Sequence, residues 1–96
     1  MVVPPGLALA GLSVADISPR LIAELNLPLD AAGAVVLDPG PRLGRFGLRQ
    51  GDVIRRINGR GVGNAADVAE AAAGGGRNWL FEVLRQGRRV QFGFRM

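Results

Sequence analysis

The 96-residue sequence predicts a single α+β domain of five to six short, mostly antiparallel strands capped by two helices. Three observations carry that expectation. Short apolar runs alternate with polar or small neighbours, the pattern of half-buried strands. Two stretches open on a capping side chain, Ser18 and Asn64, followed by helix-forming residues. And 15 glycines with 6 prolines in so short a chain demand many turns. The content is 48% hydrophobic and 21% charged, which suits a folded domain, and only 5% aromatic, so the core must be aliphatic.

Residues 12–17 alternate Leu12 and Val14 with small or polar partners, a first strand. Ser18 caps a helix with Pro19 at its first position and Glu24 one turn on; Leu21, Ile22 and Leu25 form its apolar stripe, and Asn26 and Pro28 stop it. Residues 34–37 make a second strand, ended by Asp38-Pro39-Gly40-Pro41. Residues 42–46 suit one helical turn closed by Gly47. Gly51-Asp52 introduces a strand over residues 53–57, and Asn58-Gly59 is a strong hairpin signal, with the stub Arg60-Gly61-Val62 as partner. Asn64 caps a helix over residues 65–73 with Asp67 and Glu70 near its positive end, and the triplet at 74–76 ends it. Residues 79–85, a turn at Gln86-Gly87, and residues 88–94 form a closing hairpin. Phe81 and Val83 share one of its faces, as do Val90, Phe92 and Phe94.

The inventory excludes several functions. All 12 basic residues are arginine; histidine, cysteine, lysine, tyrosine and threonine are absent, and Ser13 and Ser18 are the only serines. Neutral-pH acid–base catalysis, thiol chemistry and zinc binding lose their usual side chains. A serine nucleophile would lack a histidine or lysine base. The chain therefore reads as a non-enzyme with no cofactor and no metal. Its pI of about 11.5 reflects an arginine excess with little titrating beneath it. Apart from Arg55-Arg56 and Arg88-Arg89 the arginines are dispersed among acids, so nucleic acid is not the expected partner. No apolar run is long enough for a membrane span, and Met1-Val2-Val3-Pro4-Pro5 has neither region of a signal peptide. The whole reads as a domain cut from a longer protein, residues 1–6 linker and 7–96 the domain.

The run Gly47-Leu48-Arg49-Gln50-Gly51-Asp52-Val53-Ile54-Arg55-Arg56-Ile57-Asn58-Gly59-Arg60-Gly61-Val62 resembles the "G-L-x-x-G-D-x-I-x-x-I-N-G-x-x-V" signature of PDZ domains. Its roles are structural. Gly51 turns the chain, Asp52 accepts backbone hydrogen bonds, and Asn58-Gly59 supply positive φ angles. Ser18-Pro19-Arg20-Leu21 with Leu25-Asn26-Leu27 is similar to the "S-P-x-L-A-x-x-L-G-L" helix of the bacterial Do-type (HtrA/Deg) periplasmic serine proteases. Residues 78–88 resemble the "W-x-L-x-I-x-R-x-G-x" ending common in the last PDZ domain of that family. The resemblance covers nearly the whole chain. It implies a PDZ-like, partly open antiparallel β-barrel or sandwich in the bacterial, permuted strand order, and the C-terminal (second) PDZ domain in particular.

That resemblance also implies a peptide-binding function. A C-terminal or unfolded peptide segment would add as a strand beside Ser13, Val14, Ala15 and Asp16. Its carboxylate would lie on the loop Leu9, Ala10, Gly11 and Leu12, against the amides of Ala10, Gly11 and Leu12. The far wall would be a helix face of Ala65, Ala69 and Ala72, with Val68 at its edge, leaving a wide pocket suited to a bulky apolar C-terminal residue. Further implied partners are a protease domain and another PDZ domain of the same full-length chain, and copies of that chain in a homo-oligomer; the location would be periplasmic. Two departures stand out. No basic residue precedes the loop, and Phe46 stands where alanine is usual, filling core space or closing the groove's rear. A docking or oligomerisation domain with a closed groove, and a PDZ domain of another membrane-associated protease or secretion component, stay open. Trp79 suits core-edge packing, with a docking anchor as the alternative.

Overall fold

The Ser18 hydroxyl accepts a hydrogen bond from the Leu21 amide at 3.2 Å, and Pro19 occupies the first turn, so α1 (Pro19–Leu25) starts on its sequence signals. Asn26 ends it in the left-handed conformation, φ 54°. The computed structural model describes residues 9, 11–27, 32–74 and 77–95. The linker assigned to residues 1–6, Ala10, Pro28 and the last two glycines of the 74–76 triplet lie outside the described residues.

The strands are β1 (Ser13–Asp16), β2 (Ala34–Asp38), β3 (Val53–Ile57), β4 (Arg60–Gly61), β5 (Asn78–Arg85) and β6 (Arg88–Arg95). Every pairing is antiparallel, in the order β1-β2-β3-β5-β6, with β4 beside β3. β1 and β6 end that order and do not pair with each other, so the sheet curls without closing, as expected. The chain enters at β1 and finishes on the β5–β6 hairpin, in the order that the resemblance implies.

Among the described residues three helices are present where two were expected. α2 (Gly40–Arg45) is a full element rather than one turn at residues 42–46. Pro39 at its N-cap makes no side-chain hydrogen bond there, although Pro41 stands in the first turn as Pro19 does in α1. α3 (Ala65–Ala73) has the strong signals. The Asn64 side chain accepts from the Asp67 amide at 3.0 Å, and the Asp67 carboxylate accepts from the Gly63 amide at 2.8 Å, a reciprocal box.

One continuous core joins the sheet to α2 and α3. Leu9, Leu12, Val14, Ala34, Val36, Ile54, Val68 and Phe81 are sealed from solvent within it. In the closing hairpin Trp79, Phe81 and Val83 face inward, with Phe94, Phe92 and Val90 opposite them. Trp79 is buried, which settles it as a core residue; its indole Nε1–H has no hydrogen-bond partner. Phe46 corrects another expectation. It is 40% exposed, and its ring lies on Phe94 at 4.6 Å and 11° as an outer cover of the aromatic cluster. Among the described residues no helix is long and apolar enough to cross a membrane.

Candidate functional site

The Leu12 amide donates to the Leu9 carbonyl at 3.2 Å, which brings Leu9 close to the start of β1. Gly11 takes φ +87°, a backbone conformation that side chains resist. Leu9 and Leu12 bury their side chains completely. Gly11, which has no side chain, is exposed between them. A methyl group added at Gly11 would meet nothing within 4 Å, so the space above it is open.

Gly11 is braced from behind. Gly40, at φ +78°, begins α2, and a Cβ there would stand 3.0 Å from the Gly11 carbonyl oxygen. The Asp38 carboxylate accepts the Gly40 amide at 2.9 Å, which fixes the entry into α2. Ser13 lies opposite Asp38 across the sheet, with a register shift between Ser13 and Val14, so the same region also sets the start of β1.

β1 pairs with β2 alone among the described strands. Val14 is buried, Ser13 and Ala15 are half-buried and Asp16 is exposed. The Asp16 carboxylate accepts the Ala65 amide at 2.8 Å, joining the end of β1 to the first residue of α3. This bond fixes the gap between strand and helix at one end and sets a negative charge on the positive end of α3. Sequence reasoning placed Asp16 on the strand but missed its partner 49 residues away, for which no local signal exists.

The helix residues divide. Val68, expected at the edge of the wall, is fully enclosed; Ala65 and Ala72 are buried beside it, and Ala69 is half-buried. α3 thus gives its largest apolar side chain to the core, where the most area leaves water, and of its apolar residues only alanines stay near the surface. Ala10 lies outside the described residues. The Leu12 amide, expected to face a carboxylate, is engaged by Leu9 at the long end of the hydrogen-bond range. Among the described residues no group of three or more acidic, histidine or cysteine side chains is placed to hold a metal ion.

No protein-family model matches the chain. It is 40% identical over 83 residues to probable periplasmic serine endoproteases described as DegP-like from Pseudomonas putida strains F1 and GB-1. The match takes in 81% of this chain and 16% of the relatives, so the chain spans about a sixth of their length. Among solved structures, the HtrA3 PDZ domain bound to a phage-derived ligand (FGRWV) superposes with a TM-score of 0.73 at 28% identity, over 88% of this chain and 80% of that one. The HtrA-type protease AlgW with a decapeptide gives a TM-score of 0.74 at 28% identity, over 88% of this chain and 27% of that one.

Proposed function

Because this chain is a PDZ domain of the HtrA/Deg serine protease family, we propose that it captures C-terminal or unfolded polypeptide segments by strand addition at β1, and so feeds or regulates a protease domain of a longer chain. One observation supports this above the others: the exposed Gly11 has empty space above its backbone, next to an end strand of the sheet. The similar HtrA3 domain and AlgW were solved with peptides.

The peptide's carboxylate sits over Gly11. There it draws the Leu12 amide from the Leu9 carbonyl, exchanging a neutral hydrogen bond for a charge-assisted one, which is about twice as strong. Backbone pairing along β1 supplies affinity that is indifferent to sequence, and the pocket for the last side chain supplies selectivity. Ala69 and the low alanine wall of α3 leave that pocket wide, so bulky apolar C-terminal residues fit it best. An interface this small binds weakly, on the order of micromolar or about −8 kcal/mol. The site is built from backbone and aliphatic surface, which a chain without histidine, lysine or cysteine can supply. In the full-length protein the domain stands as the second PDZ domain of a periplasmic oligomer.

A docking domain with a closed groove is the competing reading. It is favoured by the bond that ties Asp16 to α3 and by the engagement of the Leu12 amide. An NMR titration with a peptide ending in leucine or phenylalanine decides between them: shifts along residues 11–16 support capture, and a spectrum unmoved at saturating peptide supports docking.

A further inference from the structure

A second concavity, of about 780 Å³, lies away from the β1–α3 gap, on the outer face of β3, β4, β5 and β6. Its lining includes Leu80 and Leu84, and Leu80 is 48% exposed, so it offers apolar surface to a partner. Around these stand Arg55, Arg56 and Arg89, with Glu82 as the acid between them. Glu82 is shared by Arg89 at 3.0 Å and Arg56 at 3.6 Å, whereas Arg55 has no ion pair among the described residues. The face therefore combines apolar surface with a surplus of fixed positive charge.

Gly61 is the second observation. It lines the concavity at a conformation open to any residue, and a Cβ added there meets nothing within 4 Å. Its neighbour Gly59, at φ +81°, is required by the turn. Nothing in the backbone requires glycine at 61. What its missing side chain leaves is space over the sheet.

We propose that this face receives an extended, acidic segment of a partner polypeptide, its apolar residues on Leu80 and Leu84 and its carboxylates on Arg55, Arg56 and Arg89. Charge complementarity selects the occupant. A second copy of this face would set one net-positive surface against another, and among the described residues that line it there is no aromatic of the kind nucleobases stack on. The inference is independent of the β1 site, which is on another part of the molecule.

The test uses an acetylated, amidated peptide that alternates glutamate and leucine, and so presents no free carboxyl terminus. NMR titration is expected to move the amides of residues 55–56, 80–84 and 89–91 and to leave residues 11–16 unmoved. The variant Arg55→Glu/Arg89→Glu, and separately Gly61→Val, are expected to weaken binding by roughly tenfold or more while the rest of the spectrum stays in place. Equal binding of the same peptide with lysine for glutamate, tighter binding of a single-stranded oligonucleotide, shifts confined to residues 11–16, or self-association through this face without peptide would each overturn the proposal.

Discussion

The Arg85 guanidinium grips the Asp52 carboxylate through two hydrogen bonds, Nε to Oδ1 at 2.8 Å and Nη2 to Oδ2 at 2.7 Å, and Nη2 also reaches the Gly47 carbonyl at 2.7 Å. Asp52 is the buried charged residue of the described core, and its second oxygen takes the Arg49 amide as well at 2.9 Å. The clamp thus ties the turn before β3 to the end of β5. It satisfies every demand that a buried carboxylate makes.

Removing one partner leaves that carboxylate nearly stranded. Arg85→Ala is expected to destabilise the domain by about 3 kcal/mol in urea unfolding, the lower end of the range for a broken buried pair. The double replacement Asp52→Leu/Arg85→Met recovers most of the loss, because no charge remains to be desolvated. A double variant as unstable as Arg85→Ala would show that the clamp is not the cause.

Hydrogen bonding to Asp52, and then its charge, holds the Arg85 guanidinium above the ordinary arginine range against the opposing effect of burial. A cation whose folded-state value is raised contributes stability that is complete below its ordinary value and lost only as pH rises through the folded one. The coupling measured by a double-mutant cycle should therefore be unchanged from neutral pH to about pH 10. Decay of the coupling inside that window would contradict the assignment.

Gly40→Ala is expected to act on peptide binding from behind the site. The left-handed φ costs about 1 kcal/mol, and the new methyl presses on the Gly11 carbonyl. The expected result is a lower melting temperature together with shifted Gly11 and Leu12 amides and at least a severalfold weaker peptide affinity. A stability loss with unchanged affinity would separate α2 from the site.

Asp16→Ala removes the acceptor of the Ala65 amide. The expected effects are a loss of about 1 kcal/mol, as for a charge at a helix N-terminus, and faster hydrogen exchange at Ala65 and the first turn of α3. Exchange that stays unchanged there would show that Asn64 and Asp67 alone hold the helix end.

Local features carried much of the fold into view. Asn58-Gly59 reads as a turn from sequence, and its two residues do take φ 52° and 81°. What could not be read is that the Asn58 side chain also accepts the Leu80 amide at 2.7 Å, which locks the turn to β5. The same limit governs the Asp52–Arg85 and Asp16–Ala65 contacts, whose partners lie 33 and 49 residues apart. The sequence predicts only one turn at residues 42–46, because Pro39 caps α2 without a side-chain bond. At the site, helical spacing puts Ala65, Ala69 and Ala72 on one face, whereas the buried residues of α3 are Ala65, Val68 and Ala72. Only the packed sheet decides that Val68 goes to the core and that Phe46 stays on the surface against Phe94.

Calorimetric titration of one peptide in two forms, with a free and with an amidated C-terminus, tests the central claim most directly. The account predicts binding of the free acid at roughly micromolar affinity and a loss of about tenfold or more on amidation, because the charge-assisted bonds over Gly11 disappear. Equal affinity for both forms would contradict it and remove Gly11 and Leu12 from the binding site.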